Sequence, residues 1–286
     1  MRRTPLVVVA LLALVGTLGF VAVLRSFSHD IKLPSLVSAR CLVSANGEVE
    51  LDPVQMANAA TIAAVGVRRG MPQQAVAIAL ATALQESKLE NREDGDRDSI
   101  GLFQQRPSQG WGDPDKIKDP RYSADRFYSA LKRVKGYQKM RITDAAQRVQ
   151  RSAYPNAYQK WADEAQVLAR ALTGQAASAV ACTVTGAPAL RGAAAATALM
   201  SGLRLDWGRG LPTSAAAEQA AGLTVAVTSV TSGWRYAHWL VSHASDTGLE
   251  RVRFADLQWD AGAGKWQPVT NDGGIDDRKV IAEVFR

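Results

Sequence analysis

The sequence predicts a mainly α fold: a helical body that follows a single N-terminal transmembrane helix and precedes a small α+β C-terminal module. Three observations carry this. Residues 5–24 hold no charged side chain, a run as long as a bilayer-spanning helix (about 20 residues). Residues 75–84, Ala-Val-Ala-Ile-Ala-Leu-Ala-Thr-Ala-Leu, are apolar on nearly every face, as a buried helix is. From residue 205 the pattern changes, and residues 223–228 alternate as a strand does.

Met1-Arg2-Arg3 gives a basic start and Arg25 ends the apolar run. Residues 1–28 therefore read as an uncleaved membrane anchor. A cleaved signal peptide has a shorter apolar core, about 7–15 residues. Basic residues before the span put the N-terminus in the cytoplasm. The expected location is the cell membrane, single-pass, with the body on the extracytoplasmic side.

Residues 29–50, with Pro34, Ser35 and Gly47, read as a stalk. Asp52 is a good N-cap with Pro53 in the first turn, so a helix should run to about residue 69 and stop at Gly70. Met71-Pro72 opens the next helix, which carries the apolar run to Glu86. Residues 91–120, rich in Gly, Pro and Asp, predict an irregular loop, and loops of this length are commonly functional. Helices are expected over 123–134, 143–151 and 156–172, so that 51–173 forms one helical domain. Residues 174–204, rich in Ala, Gly, Ser and Thr, read as a linker with some Ala-rich helix. Residues 205–286 form the α+β module, with a helix over 234–245 and strands over 250–254 and 265–269.

The chain has 286 residues, 47% hydrophobic and 21% charged, with a net charge of +7. This is globular composition, and the basic balance suits an anionic partner. No nucleic-acid signature accompanies the charge. His238 and His243 are not spaced for one helix face, which argues against a zinc peptidase. Asp94, Asp96 and Asp98 alternate like the start of a calcium loop, but Ser99 stands where that loop needs Gly and Gln105 where it needs Glu. No metal and no cofactor are expected. Cys41 and Cys182 flank the helical domain. In an oxidising compartment they pair and tie its ends together; otherwise they remain two buried thiols.

The chemistry concentrates on Glu86. A carboxylate leaving a buried helix is partly withdrawn from water, which raises its pKa. The helix dipole is negative at that end and disfavours its charge further. Glycosidic cleavage needs such a protonated acid. Ser87 either orients the carboxylate or caps the turn. Gly101 allows close backbone approach or positive φ. Gln104 and Gln105 offer amides to sugar hydroxyls and acetamido groups, and Trp111, Tyr154 and Tyr158 offer stacking faces.

Gln85-Glu86-Ser87, followed by Ile100-Gly101-Leu102-Phe103-Gln104, resembles the lysozyme-like superfamily, with the pattern of soluble lytic transglycosylases and goose-type lysozymes. The string from Gly95 to Pro107, continuing to Gly110-Trp111-Gly112, is similar to a membrane-anchored, actinobacterial lysozyme-like group, and Cys41 and Cys182 fit that group. The resemblance covers about residues 41–182. It implies a lysozyme-like helical domain, peptidoglycan as the partner, and cleavage between N-acetylmuramic acid and N-acetylglucosamine with Glu86 as general acid. The family's Ala-Tyr-Asn segment corresponds to Ala153-Tyr154-Pro155-Asn156-Ala157-Tyr158, which inserts Pro155 and lacks the following Gly; either tyrosine can fill the cleft role. An inverting lysozyme needs a second carboxylate to activate water, for which Asp94, Asp96 and Asp98 are candidates, whereas a lytic transglycosylase works with one glutamate. The altered tyrosine segment leaves open an inactive, peptidoglycan-binding scaffold of the cell envelope.

Overall fold

Asp52 starts the first helix through a reciprocal cap. In the computed structural model, which describes residues 38–211, 213–215, 222–269 and 276–286, the Asp52 carboxylate accepts the Gln55 N–H at 2.9 Å. Gln55 Oε1 accepts the Asp52 N–H at 3.0 Å. Two otherwise orphaned donors are thereby satisfied. Helix α1 (Pro53–Arg68) follows, then α2 (Gln73–Ser87), α3 (Pro114–Ile117), α4 (Pro120–Lys132), α5 (Ile142–Gln150) and α6 (Ala162–Leu172). Residues 75–84 of α2 are all buried, because α1, α4, α5 and α6 enclose it. Alanine at alternate positions of that run lets the surrounding helices approach closely. Gly66 lets α4 approach α1 closely. A Cβ at Gly66 would lie 2.6 Å from the Tyr128 hydroxyl, which donates to the Ile62 carbonyl at 3.0 Å.

Where the sequence reads as a stalk, residues 40–51 form a hairpin of β1 (Arg40–Ser44) and β2 (Glu48–Leu51). Where it reads as a linker, it supplies β3 (Val180–Thr183) and helix α7 (Gly192–Trp207). The three strands make an antiparallel sheet in the order β2-β1-β3. Cys41 faces Cys182 in register across β1 and β3, and the two form a disulfide that closes a separation of 141 residues. The cross-link thus sits inside a sheet that joins the two ends of the helical region.

Beyond α7 come β4 (Thr213–Ala215), β5 (Gly222–Ala226), α8 (Val230–Ser242), α9 (Ala244–Thr247), β6 (Leu249–Ala255), β7 (Leu257–Asp260), β8 (Lys265–Pro268) and β9 (Asp276–Val284). The strands form a six-stranded antiparallel sheet in the order β4-β5-β9-β6-β7-β8. Helix α8 lies against β6 and β9, and also against α1 and α6. The C-terminal elements therefore share one core with the helical region, and residues from Ala39 to Arg286 form one compact unit.

Polar groups fasten that shared core. Asp206, fully buried, accepts hydrogen bonds from Thr61 Oγ1 and Trp239 Nε1, each at 2.8 Å. Its Oδ1 lies 2.6 Å from Arg121 Nε, an ion pair off the N–H axis. Helices α1, α4, α7 and α8 thus converge on one carboxylate. His238 is also fully buried; its ring bridges the Ala179 N–H at 2.9 Å and the Ala171 carbonyl at 2.8 Å. Burial pulls its pKa down to about 4, so it is neutral, with Nδ1–H donating to Ala171 and Nε2 accepting from Ala179.

Two expectations are corrected. The fold is α+β rather than mainly α, with 47% of the described residues in helix and 19% in strand. Short strands at both ends of the helical region, and a sheet of long-range pairings after it, supply the difference. The single-pass membrane placement is corrected as well. The span expected over 5–24 falls outside the described residues, and among the described residues no helix is long and apolar enough to cross a membrane. Helix α2 is apolar because protein surrounds it, and its length is 15 residues. The disulfide is compatible with an extracellular location.

Candidate active site

Glu86 is the penultimate residue of α2, half-buried where the helix leaves the core. Lys88 takes the left-handed conformation at the C-cap (φ 59°, ψ 33°), and Leu89, also at positive φ, is fully buried. These residues turn the chain back towards the Gly-Leu-Phe-Gln segment. Ser87 Oγ donates to the Leu102 carbonyl at 2.8 Å and sits 3.1 Å from the Ala83 carbonyl. Ser87 therefore fastens the helix end to that segment and does not orient the Glu86 carboxylate.

Both protein contacts to the Glu86 carboxylate reach one oxygen. Tyr158 Oη donates to Oε1 at 2.7 Å, and Gln150 Nε2 donates to the same atom at 3.2 Å. Gln150 Nε2 also donates to the Phe103 carbonyl at 2.8 Å, so its amide joins the helix exit to the Gly-Leu-Phe-Gln segment. Among the described residues no cation pairs with Glu86 and no second carboxylate hydrogen-bonds to it, to Tyr158 or to Gln150. Burial raises the Glu86 pKa, against the opposing pull of the Tyr158 and Gln150 hydrogen bonds. Tyr158 is itself raised, by burial first and then by the neighbouring Glu86 charge, so it stays a donor. With Oε1 accepting twice, the acidic proton belongs on Oε2, which no described residue engages.

The lysine two residues on does not neutralise the site. Lys88 Nζ lies 3.9 Å from the centroid of the Trp161 ring and 3.3 Å from the Leu84 carbonyl. Burial first, and then the Lys160 charge, lowers its pKa. Trp161 Nε1 in turn donates to Gln85 Oε1 at 2.9 Å.

The remaining candidates divide by position. Gly101 has φ 77°, and a Cβ there would meet the Ile117 carbonyl at 2.9 Å; glycine is required on both counts. Gln104 is half-buried, and its amide donates to the Gly101 carbonyl at 3.2 Å. Gln105 turns inward: it is buried, and Nε2 donates to the Ser123 carbonyl on α4 at 3.0 Å, so the expected contact with sugar is corrected to a packing role. Of the two tyrosines, Tyr158 is fully buried on Glu86, whereas Tyr154 is 75% exposed. Asp98 is committed elsewhere. Arg106 Nε donates to its Oδ1 at 2.7 Å and the Ser108 N–H to its Oδ2 at 2.8 Å. Those bonds hold its carboxyl far below the usual carboxylate range and leave it poorly placed to activate water. Asp94 and Asp96 are exposed.

Gln150 is the one contact to Glu86 that sequence reasoning missed. It ends α5 beside Arg151, which takes positive φ, and nothing in Gln147-Arg148-Val149-Gln150-Arg151 separates a ligand of Glu86 from an ordinary helix terminus. Only the packing of α5 against α2 brings it there. A scan against protein-family models matches none, and no curated protein is significantly similar to the chain.

Proposed function

We propose that the protein is a peptidoglycan-cleaving glycosidase of the lytic transglycosylase type, with Glu86 as its one acid and base. The observation that carries this reading is the Glu86 carboxyl. It is raised in pKa by burial, held on Oε1 by neutral donors, and engaged on Oε2 by none of the described residues. A neutral carboxyl delivers a proton to a glycosidic oxygen, and its environment favours that form.

In the proposed reaction Oε2–H protonates the oxygen leaving from C1 of N-acetylmuramic acid. The C1–O bond breaks and positive charge develops on the sugar. The Glu86 carboxylate then takes the proton of the C6 hydroxyl of the same sugar, and O6 closes on C1 to give the anhydro ring. Glu86 ends protonated as it began, and no water is consumed. An inverting hydrolytic variant requires a second carboxylate about 6.5–9.5 Å away to activate water. Asp98 is held by Arg106 and Ser108, which favours the single-carboxylate route.

The test is release of soluble muropeptides from purified peptidoglycan by the full chain and by Glu86→Gln. The substitution keeps the shape and removes the proton, so release should fall by about 10²–10⁴-fold, the usual contribution of a positioned acid. Undiminished release by Glu86→Gln overturns the reading. Sedimentation with peptidoglycan, with no cleavage at any pH, would replace it with that of a binding scaffold.

A further inference from the structure

A basic pocket adjoins the Glu86 site and shares a residue with it. Its volume is about 580 Å³, and Trp111, Arg126, Arg133, Arg148, Gln150 and Arg151 are among the residues that line it. Among the described residues no aspartate or glutamate lines it. The neighbouring carboxylates are engaged elsewhere: Asp125 pairs with Arg69, and both oxygens of Asp144 accept from Arg141. Arg126 Nη2 donates only to the Gly110 carbonyl, at 3.3 Å. The four guanidinium groups come from two helices and the residue that follows each: α4 and its C-cap for Arg126 and Arg133, and α5 and its C-cap for Arg148 and Arg151. Gathering like charges costs free energy unless an anion answers them. Gln150 lines the same pocket while it donates to Glu86 Oε1.

We propose that this pocket binds the free carboxylates of the peptide carried by a glycan strand seated at Glu86. The inference rests on the reading of Glu86 as the acid that cuts a peptide-bearing glycan. In that polymer the peptide branches from the muramic acid whose C1–O bond breaks, so its acidic groups fall beside the scissile bond. Guanidinium groups match carboxylates in bidentate geometry. The half-buried face of Trp111 offers an apolar wall to the aliphatic part of the peptide. The arginines then select peptide-bearing strands and fix their register relative to the acid.

The experiment is calorimetric titration of the full chain with a disaccharide tetrapeptide bearing free carboxylates. Its carboxyl-amidated counterpart, the peptide-free disaccharide and inorganic phosphate are the comparison ligands. The free-carboxylate ligand should bind at least about tenfold more tightly than the amidated one, the ratio a charge-assisted pair gives. Arg133→Gln with Arg148→Gln should erase that ratio, and Arg133→Lys with Arg148→Lys, which keeps the charge and loses the bidentate fork, should retain only part of it. These exposed positions tolerate substitution, and circular dichroism verifies the fold. Equal affinity for the free and amidated ligands overturns the proposal. So does inorganic phosphate that binds more tightly than the free-carboxylate ligand, which would make the pocket a phosphate site. Cleavage is followed in the same samples. Carboxylate-dependent binding without cleavage would overturn the Glu86 reading and uphold the pocket as a peptide site. Cleavage without carboxylate dependence would do the reverse.

Discussion

Glu86 leaves α2 with a tyrosine hydroxyl and a glutamine amide on one oxygen and, among the described residues, no partner on the other. Asp206, near the end of α7, has a guanidinium 2.6 Å from Oδ1 and two neutral donors on Oδ2. Both carboxyl groups are withdrawn from water, Asp206 completely. The surroundings decide what each can do. Neutral donors without a cation leave burial dominant at Glu86, which keeps its proton into a higher pH range than an exposed glutamate does. A cation at Asp206 compensates the buried charge and turns the group into a joint between helices. Asp98 sharpens the contrast: an arginine and a backbone N–H hold it well below the usual carboxylate range, and it fastens a loop. The structural carboxylates are the paired ones, and the candidate acid is the unpaired one.

The comparison breaks most easily at Asp206. Asp206→Ala takes the acceptor from the Thr61 hydroxyl and the Trp239 indole in the core and one of two carboxylate partners from the half-buried Arg121, and should cost about 2–6 kcal/mol, at about 1–3 for each stranded donor, read as a lowered midpoint in urea or heat. A loss near zero would mean that the network does not join the helices. Cys41→Ser with Cys182→Ser follows, at about 2–5 kcal/mol. Reduction of the wild type should lower its melting temperature as far as the double substitution does, because the disulfide lies in the sheet that joins the ends of the helical region.

Tyr158→Phe probes the other side of the comparison. The Tyr158 hydrogen bond favours the ionised form of Glu86, so its removal raises the Glu86 pKa further. The alkaline limb of the pH–rate profile, where the acid loses its proton, should move to higher pH. The rate below that limb should fall about tenfold as the carboxyl loses its positioning bond. Gln150→Leu should move the limb the same way by less, since its bond to Glu86 is the weaker cause of the shift. An unmoved limb in both variants would detach Glu86 from the ionisation that controls the rate.

The smallest effect has the opposite sign to most substitutions. With a folded pKa above the unfolded one, ionised Glu86 opposes folding. The penalty is absent below the ordinary carboxylate pKa, grows as pH rises towards the raised folded value, and is complete above it. Glu86→Gln should therefore melt higher than the wild type at neutral pH, by about 2–4 °C per 1 kcal/mol relieved in a chain of this size. The difference should close below about pH 4. A variant less stable at neutral pH would show that the carboxylate contributes favourably to the fold.

Much of this was legible in the sequence. Asp52-Pro53 marks a cap that forms as written, and the run from Ala75 to Leu84 becomes the core helix. Tyr158 was one of two candidates, and burial on Glu86 separates it from Tyr154. What stayed hidden depends on distance along the chain. Strand β1 is only five residues long, and it finds its partner β3 far downstream. Short strands with remote partners leave a weak local pattern. Helix α7 hides in an Ala- and Gly-rich stretch, although Leu199, Leu203 and Trp207 recur every four residues and are all buried. Gln105 looked like a cleft residue because it sits beside Gln104 in the motif. Backbone pairing of Ile100 with Gln105 turns its side chain towards α4.

The most direct test is mass spectrometry of the muropeptides that the full chain releases from purified peptidoglycan, run beside Glu86→Gln. The account predicts anhydromuramic ends from the wild type and almost none from the variant. Equal release by the two proteins, or no release by the wild type at any pH, would contradict it.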